Sequence, residues 1–406
     1  MAKRRIAKRS RGKTTKRCYR KTAGQSRFRF KDVHEYIGSL FNDSLHAKRV
    51  YSLANATLGV MTAASLVIHA IGEGLAEARH LLTKHAIKQV DRLLSNQGID
   101  VWASFAYWVP QAVGARKAIV VAMDWTEFDP DGQATIALSL VTAHGRATPL
   151  IWLTVEKDEL KDHRNAYEDA VLARLCQVLP EDVQVTLLAD RGFGDQKLFN
   201  FLEHGLGFDY VIRFRGNIHV TAANGETRDA AEWVGRGGRA KTLRHARVTT
   251  DEYPVGTVVC VHAKSMKEPW CLAANDAQAQ TKVIINYYAK RWGIEPGFRD
   301  TKALRFGMGL YATRISNTER RDRLLLLNAL AIVLLTMLGA AGESLGYDKY
   351  LKANTVKRRT HSLFRQGCML LRLLATMRKE GLQPFMRRFR ELLFGQRSFQ
   401  DVFYVV

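Results

Sequence analysis

Cysteine is scarce and unpaired in this sequence. The 406 residues contain five cysteines, and no two of them have Cys-x-x-Cys spacing. An odd number of cysteines without this spacing argues against both a disulfide framework and a zinc knuckle. We therefore expect a protein of a reducing compartment, the cytoplasm. The five are Cys18, Cys176, Cys260, Cys271 and Cys368.

Long apolar runs are almost absent. No apolar stretch follows Arg4 and Arg5, so we expect no secretion signal. Only residues 324–341 reach the length of a membrane span, and they include Asn328 and Thr336. We interpret this segment as a buried core helix and expect no membrane partner. The alternative is a membrane-associated protein that this segment anchors.

Acidic residues are rare at both ends of the chain. Residues 1–31 contain 14 Lys and Arg and no acid, and residues 352–397 contain 12 against two glutamates. The formal net charge of +23 lies at these ends, because the middle is balanced. Cationic groups that bind phosphates release counterions, so nucleic acid is the first partner to consider. For the N-terminal run, a solubilising tail or a ribosome-type arm is the alternative.

Apolar residues are abundant, at 47% of the chain, which excludes disorder throughout. The length fits about two to four domains, or one large domain with additions. Residues 32–110 have the apolar spacing of helices, with a break expected at Gly72-Glu73-Gly74. We expect Thr83 to cap a helix with an apolar face and a basic face. This helix is either the second helix of a helix-turn-helix or an ordinary amphipathic surface helix.

From Arg116 the apolar period becomes that of strands. The order of strands and helices is typical of a ribonuclease-H-like α/β sheet, with Asp124 and Asp190 at the carboxyl ends of two strands, where ligands bind. A Gly/Arg-rich loop and further strands then predict a β-rich insertion, and helices return from about residue 280. The predicted strands are 118–123, 135–141, 150–155, 183–188, 210–214, 255–263 and 270–273, and the first predicted helices after Arg116 are 167–179 and 196–204.

Four polar residues recur at helical spacing after the insertion: Tyr288, Arg291, Glu295 and Lys302. On an ideal helix their side chains would share an arc of about 60° and form one stripe. A phenol, two cations and a carboxylate in one stripe are suited to holding phosphates beside a metal-bound carboxylate. We expect a kink or a restart of the helix at Pro296, which follows the carboxylate.

This spacing resembles the Tyr-Arg-Glu-Lys signature of bacterial insertion-sequence transposases of the DDE class, the IS-four family. Asp124-Trp125-Thr126 resembles the segment of the first catalytic aspartate of that family, and Asp190-Arg191-Gly192-Phe193 that of the second. The resemblance covers about residues 116–310. It implies that Asp124, Asp190 and Glu295 are the catalytic carboxylates.

Metal-dependent chemistry agrees with this resemblance. Two-metal cleavage of a phosphodiester needs carboxylates that distant segments bring together, and Asp124, Asp190 and Glu295 supply three. Hard oxygen ligands without His or Cys favour Mg²⁺, with Mn²⁺ as a substitute. We expect two ions, bound by these three residues.

Contacts with DNA are expected beside the carboxylates. Tyr288, Arg291 and Lys302 would bind phosphates, and the alternative for the two cations is that they are surface charges. Trp292 either stacks on an unpaired base or packs in the core. Other acids have simpler interpretations. Glu127, Asp129 and Asp131 are expected to be solvated loop acids, Asp195 a helix cap, and Asp300 a residue on another side of the helix from Glu295.

The predicted function is that of a DNA transposase in the bacterial cytoplasm, associated with the nucleoid. It would bind the terminal inverted repeats of an insertion sequence, cleave at the ends and join the 3′ hydroxyls to target DNA, as at least a homodimer. The alternative is a non-catalytic DNA-binding protein derived from a transposase. The predicted segments are a basic DNA-contacting arm (1–31), a helical DNA-binding region (32–113), a ribonuclease-H-like core (114–216 and 277–345) split by a β-rich insertion (217–276), and a basic helical C-terminal region (346–406).

Overall fold

The computed structural model describes residues 30–142, 146–305, 307–395 and 402–403. Most of the predicted arm, residues 1–29, and also Cys18 lie outside the described residues. The helical region that follows is confirmed. Its five helices are α1 (Phe30–Phe41), α2 (Ala47–Ala63), α3 (Ile68–Arg79), α4 (Thr83–Leu94) and α5 (Val101–Val113).

The predicted break at Gly72-Glu73-Gly74 is wrong, because α3 runs through it. A Cβ atom on Gly72 would lie 2.4 Å from a side-chain carbon of Ile87 in α4. A Cβ atom on Gly74 would lie 2.6 Å from the carbonyl oxygen of Gly59 in α2. These glycines therefore allow α3 to pack closely against both neighbours.

Helix α4 has the two faces that its sequence predicts. Ala86 and Val90 are buried, whereas Lys88 and Arg92 are exposed. Thr83 is the first helical residue rather than the N-cap, which is Leu82. Whether the basic face lies in a DNA groove stays a prediction.

Within the described part of the chain, a single sheet of ten strands lies at the centre, in the order β3-β2-β1-β4-β5-β10-β9-β8-β6-β7. Strands β1, β4 and β5 are parallel to each other, and β1, β2 and β3 are antiparallel neighbours. The strands and their intervening helices are β1 (Ala118–Phe128), β2 (Gln133–Val141), β3 (Ala147–Glu156), α6 (Arg164–Val178), β4 (Gln184–Ala189), α7 (Gln196–Asn200), β5 (Asp209–Phe214), β6 (His219–Thr221), β7 (Thr227–Asp229), β8 (Lys241–Val248), β9 (Tyr253–Val261) and β10 (Trp270–Ala274).

The predicted β-rich insertion extends this sheet. Strand β10 pairs with β5 in antiparallel register, Cys271 opposite Phe214, and β9 and β8 follow outward. The backbone edge of β5 is thereby covered, which removes an exposed strand edge close to the carboxylates.

Both faces of the sheet are covered. In β1, Val121 and Met123 contact the main core, while Val120 and Ala122 contact a second cluster with Ile284. That second cluster lies beneath the helices after the insertion. These and the remaining helices are α8 (Thr281–Lys290), α9 (Ile294–Lys302), α10 (Thr318–Ser344), α11 (Leu363–Leu373) and α12 (Lys379–Phe394).

The expectation of one helix carrying the polar stripe is corrected by the structure. A 3₁₀ turn over residues 291–293 separates α8 from α9. Pro296 is the third residue of α9, where a backbone N–H has no partner within the helix, so the proline causes no break. The interruption of the α-helix thus comes before Pro296, at Arg291-Trp292-Gly293.

Helix α10 contains the apolar segment of membrane-span length. It is apolar and long enough to cross a membrane, but 83% of its most apolar window is buried inside the protein. It packs against α2, α11, α12 and β3. The prediction of a buried core helix is confirmed.

The acids after Asp124 divide into two kinds. Glu127 and Asp129 lie in exposed positions and pair with Lys157, at 2.8 and 2.7 Å. Asp131 was expected to be solvated, and this expectation is wrong. Its carboxylate is buried and pairs at 2.5 Å with Arg321, which is fully buried in α10 and needs a counter-charge.

Candidate active site

Two neighbouring parallel strands bring the two aspartates together. The last paired residues of β1 and β4 are Met123 and Ala189, so Asp124 and Asp190 occupy the next, equivalent positions. Strand β1 continues beyond Asp124 against β2, whereas β4 ends at Ala189. Side chains alternate along a strand, so Asp124 lies on the same face as Ala122, beneath α8 and α9.

The segment from α8 to α9 adds the third carboxylate. The Arg291 guanidinium lies 3.3 Å from Asp124 Oδ2, 3.0 Å from Glu295 Oε1 and 3.8 Å from Asp190 Oδ2. The Tyr288 hydroxyl donates a 2.8 Å hydrogen bond to Asp190 Oδ1. Arg291 is only 5% exposed. The three predicted carboxylates therefore meet around one buried cation.

Asp124 holds its proton more tightly than an ordinary aspartate. Burial raises the pKa of Asp124 to about 6, although the Arg291 guanidinium and the Trp125 N–H oppose the shift. The negative charges of Asp190 and Glu295 add to the rise. Below about pH 6, a cation that entered the site would compete with this proton.

Asp190 behaves in the opposite way. Burial alone would raise the pKa of Asp190, but a hydrogen bond from the Arg191 N–H, the Arg291 charge, the Tyr288 hydroxyl and the Arg213 charge together lower it. The lowered pKa keeps this carboxylate ionised. Asp190 is thus anionic in neutral solution, while the pKa of Asp124, about 6, lies close to neutral pH.

A family model for the transposase DDE domain matches residues 117–334, more than half of the chain. The matched region contains all three carboxylates. The chain belongs to the transposase DDE domain family. Membership implies a transposase that acts on DNA, in a family that generally uses divalent metal ions. A comparison with curated proteins found no match.

Among the described residues, no ion pair joins Lys302 of the transposase to the three carboxylates. Its Nζ donates hydrogen bonds to Thr126 Oγ1, at 3.1 Å, and to the carbonyl oxygen of Glu127, at 2.6 Å. Burial lowers the pKa of Lys302. Glu295 and Lys302 both lie in α9, seven residues apart and therefore on one helical face, and Lys302 contacts the part of β1 just beyond Asp124.

Trp292 is exposed in this transposase. Its residue surface is 57% accessible, so packing in the core, one of its two predicted roles, is wrong. The indole lines a cleft of about 670 Å³ together with Asp190 and Glu295. Stacking on a base stays a prediction.

Two other predictions about acids agree with the structure. Asp195 caps α7, since its side chain accepts a 2.9 Å hydrogen bond from the Lys197 N–H. Asp300 pairs with Arg146 at 2.6 Å, and no contact with Glu295 is recorded among the described residues.

Three charged residues beside the site were missed. Arg213 in β5 lies 3.8 Å from Asp190 Oδ1, and Glu268 pairs with both Arg213 and Arg191. Arg191 directly follows Asp190 in the motif Asp190-Arg191-Gly192-Phe193. Arg213 is a charged residue within an apolar strand, and either feature could have identified these residues from the sequence. Glu268 gives no signal in sequence, because the pairing of β5 with β10 brings it near.

The donor set fits a divalent cation in its chemistry. Asp124, Asp190 and Glu295 offer hard carboxylate oxygens, the ligands that Mg²⁺ and Mn²⁺ prefer. Among the described residues, no three acidic, His or Cys side chains lie close enough together to enclose an ion. The Arg291 guanidinium supplies positive charge between the carboxylates in this arrangement.

Proposed function

We propose that this transposase binds the terminal inverted repeats of an insertion sequence, cleaves at the ends and joins the 3′ hydroxyls to target DNA. The observation that carries the proposal is the meeting of Asp124, Asp190 and Glu295, from three distant segments, around Arg291. No carboxylate of the set is missing, which favours catalysis over the alternative of a DNA-binding protein that has lost its activity.

We infer that the fold is ribonuclease-H-like in the part formed by β3, β2, β1, β4 and β5. Three antiparallel strands followed by two strands parallel to β1 support this inference. The positions of Tyr288, Arg291 and Glu295 at one site support membership of the IS-four family with its Tyr-Arg-Glu-Lys signature.

Asp124, Asp190 and Glu295 would hold the metal, Mg²⁺ with Mn²⁺ as a substitute, and two ions are proposed. Such ions activate the attacking oxygen and stabilise the leaving oxygen of a phosphodiester. The protein residues have their own tasks. Tyr288 orients the Asp190 carboxylate through its hydrogen bond, and below about pH 6 a proton on Asp124 would compete with the metal.

The DNA contacts near the scissile bond are proposed for four residues. Arg291 can exchange a carboxylate partner for a phosphate, since a guanidinium binds both in the same geometry. Tyr288 and Lys302 flank it on the two sides, at β4 and at the end of β1. Trp292 has an exposed indole in the cleft, which suits stacking on an unpaired base.

The remaining parts of the proposal concern partners and location. The basic arm and α4 would recognise the ends, and the basic C-terminal helices would contact DNA or a second subunit. Two ends must be cut and joined together, so a homodimer is proposed for the active complex. The bacterial cytoplasm, at the nucleoid, is the proposed location, without a membrane partner.

The test uses DNA fragments from the two ends of the gene's own locus, incubated with the purified protein and a target plasmid. We expect Mg²⁺-dependent cuts at the ends and joined products with a new bond between a 3′ hydroxyl and the plasmid. Internal fragments of equal length from the same locus serve as the control. Equal cutting of end and internal fragments would refute end recognition, and binding without cutting in Mg²⁺ or Mn²⁺ would favour the non-catalytic alternative.

A further inference from the structure

Two arginines beside Asp190 share one carboxylate in this structure. Glu268 Oε2 lies 2.7 Å from Arg191 Nη1 and 2.9 Å from Arg213 Nη2. Arg213 also lies 3.8 Å from Asp190 Oδ1 and donates to the carbonyl oxygen of Pro269 at 3.3 Å. Two guanidinium groups that converge on one anion, next to a catalytic carboxylate, form a site for an anion with several oxygens.

The three side chains differ in how firmly they are held. Arg213 is mostly buried in β5, with 14% of its side chain exposed, whereas the side chains of Glu268 and Arg191 are each 52% exposed. Glu268 lies in the loop between β9 and β10, whose residues 262–265 and 267–268 are exposed. An exposed ion pair is weak in water. The carboxylate can therefore leave, while Arg213 stays in place.

The surroundings indicate what would replace the carboxylate. The cleft that contains this pair also contains Lys267, Trp292 and Glu295. It connects the arginine pair directly with the active site. Arg213 Nε is buried and has no hydrogen-bond partner among the described residues, so the arginine has a donor that Glu268 leaves unused. A phosphate offers more acceptor oxygens than a carboxylate.

We propose that Arg191 and Arg213 form a binding site for a DNA backbone phosphate beside Asp190, and that Glu268 occupies this site until DNA displaces it. The inference rests on the proposed function in taking DNA as the ligand. Glu268 then lowers the affinity for DNA in general, and its loop moves when a strand enters the cleft. If Glu268 only stabilised the conformation of its loop, it would not compete with DNA for the arginines.

The test compares Glu268→Gln with Glu252→Gln as a matched control. Glu252 belongs to the same insertion, pairs with Arg247 at 2.8 Å and has a side-chain exposure of 51%. Both substitutions remove one negative charge and a similar ion pair, but Glu252 is not in the cleft. Binding is measured by fluorescence anisotropy without metal, at low salt, on a short duplex that lacks the element's sequences. Thermal unfolding of each variant checks the fold.

We expect Glu268→Gln to bind this duplex at least about threefold more tightly than Glu252→Gln, because the competing carboxylate is gone. Adding Arg191→Gln to Glu268→Gln should reverse the gain. Equal affinities of the two single variants, or weaker binding by Glu268→Gln, would overturn the inference. Cleavage of end fragments by the unmodified protein is scored separately, so failure of the proposed function is distinguished from failure of this inference.

Discussion

Asp124 and Asp190 occupy equivalent positions on neighbouring strands, yet their protonation differs. Burial raises the pKa of Asp124 to about 6, while Asp190 has its pKa lowered by hydrogen bonds and positive charges that outweigh burial. Tyr288 contributes directly to the lowered pKa of Asp190, because its hydroxyl donates a hydrogen bond to the Asp190 carboxylate. The difference arises from neighbours and not from residue type, which is identical.

The raised pKa predicts the pH dependence of metal binding. A proton and a cation compete for the Asp124 carboxylate, so affinity must fall as the pH drops below the pKa. We expect the affinity for Mn²⁺ to fall by up to about tenfold for each pH unit below about pH 6. Calorimetric titration of the DNA-free protein measures this. An affinity that stays constant from about pH 5 to pH 7 would exclude Asp124 from the ion site.

Among the secondary-structure elements, the N-terminal end of α10 connects the N-terminal helices with the sheet. Arg321 pairs with Asp131 and donates to the Gln133 side chain of β2, at 2.7 Å. Arg323 donates to the carbonyl oxygens of Leu94 and Ile99, beside α4. One helical turn of α10 therefore connects the N-terminal helices with the sheet.

Removing the Asp131 carboxylate should destabilise the protein strongly. Asp131→Ala leaves the fully buried Arg321 without its counter-charge, and breaking such a pair costs about 3–5 kcal/mol. Asp129→Ala, two residues away, removes only an exposed pair with Lys157 and should leave the free energy of unfolding almost unchanged. Urea denaturation of both variants gives the free energies of unfolding. Equal losses would show that Arg321 does not depend on Asp131.

Elements with a strong apolar pattern could be predicted from the sequence, and polar elements could not. The run at Ala118–Met123 identifies β1 because it is buried on both faces. Strand β8, Lys241–Val248, was missed because charged residues occupy its exposed positions and only tertiary pairing with β9 makes it a strand. The acids Asp124, Asp190 and Glu295 were found from their motifs. The burial of Arg291 among them was not, since an ideal helix places it on a surface stripe.

At the scale of the whole molecule, one continuous apolar core contains residues from α1 to α12 on one side of the sheet. The first and last helices are also joined by an ion pair of 2.7 Å between Asp32 and Arg390. The DDE domain match ends at residue 334, inside α10. Residues of α11 and α12, beyond the match, therefore pack in the same apolar core as residues of the matched region. The excess positive charge lies outside the balanced middle of the chain.

The basic arm predicts a strong salt dependence of DNA binding. Residues 1–29 carry 13 of the 14 basic residues of the predicted arm, and deleting them leaves α1 intact from Phe30. Each neutralised phosphate contributes about 0.9 to the slope of log affinity against log salt concentration. The deletion should make this slope shallower by several units. An arm of equal length with glutamine at the basic positions is the control for length, and an unchanged slope would show that the arm does not contact DNA.

We propose that three carboxylates from distant segments form one metal-dependent site for cutting DNA. The most direct test is the rate of end cleavage in Mg²⁺ by Asp124→Asn, Asp190→Asn and Glu295→Gln. Asp182→Asn is the control, because Asp182 is an exposed acid beside the opposite end of β4 that pairs with Lys117. We predict that each of the three variants loses about a thousandfold or more in rate while still binding the ends, and that the control keeps its rate. Cleavage at the unmodified rate by any one of the three would contradict the claim.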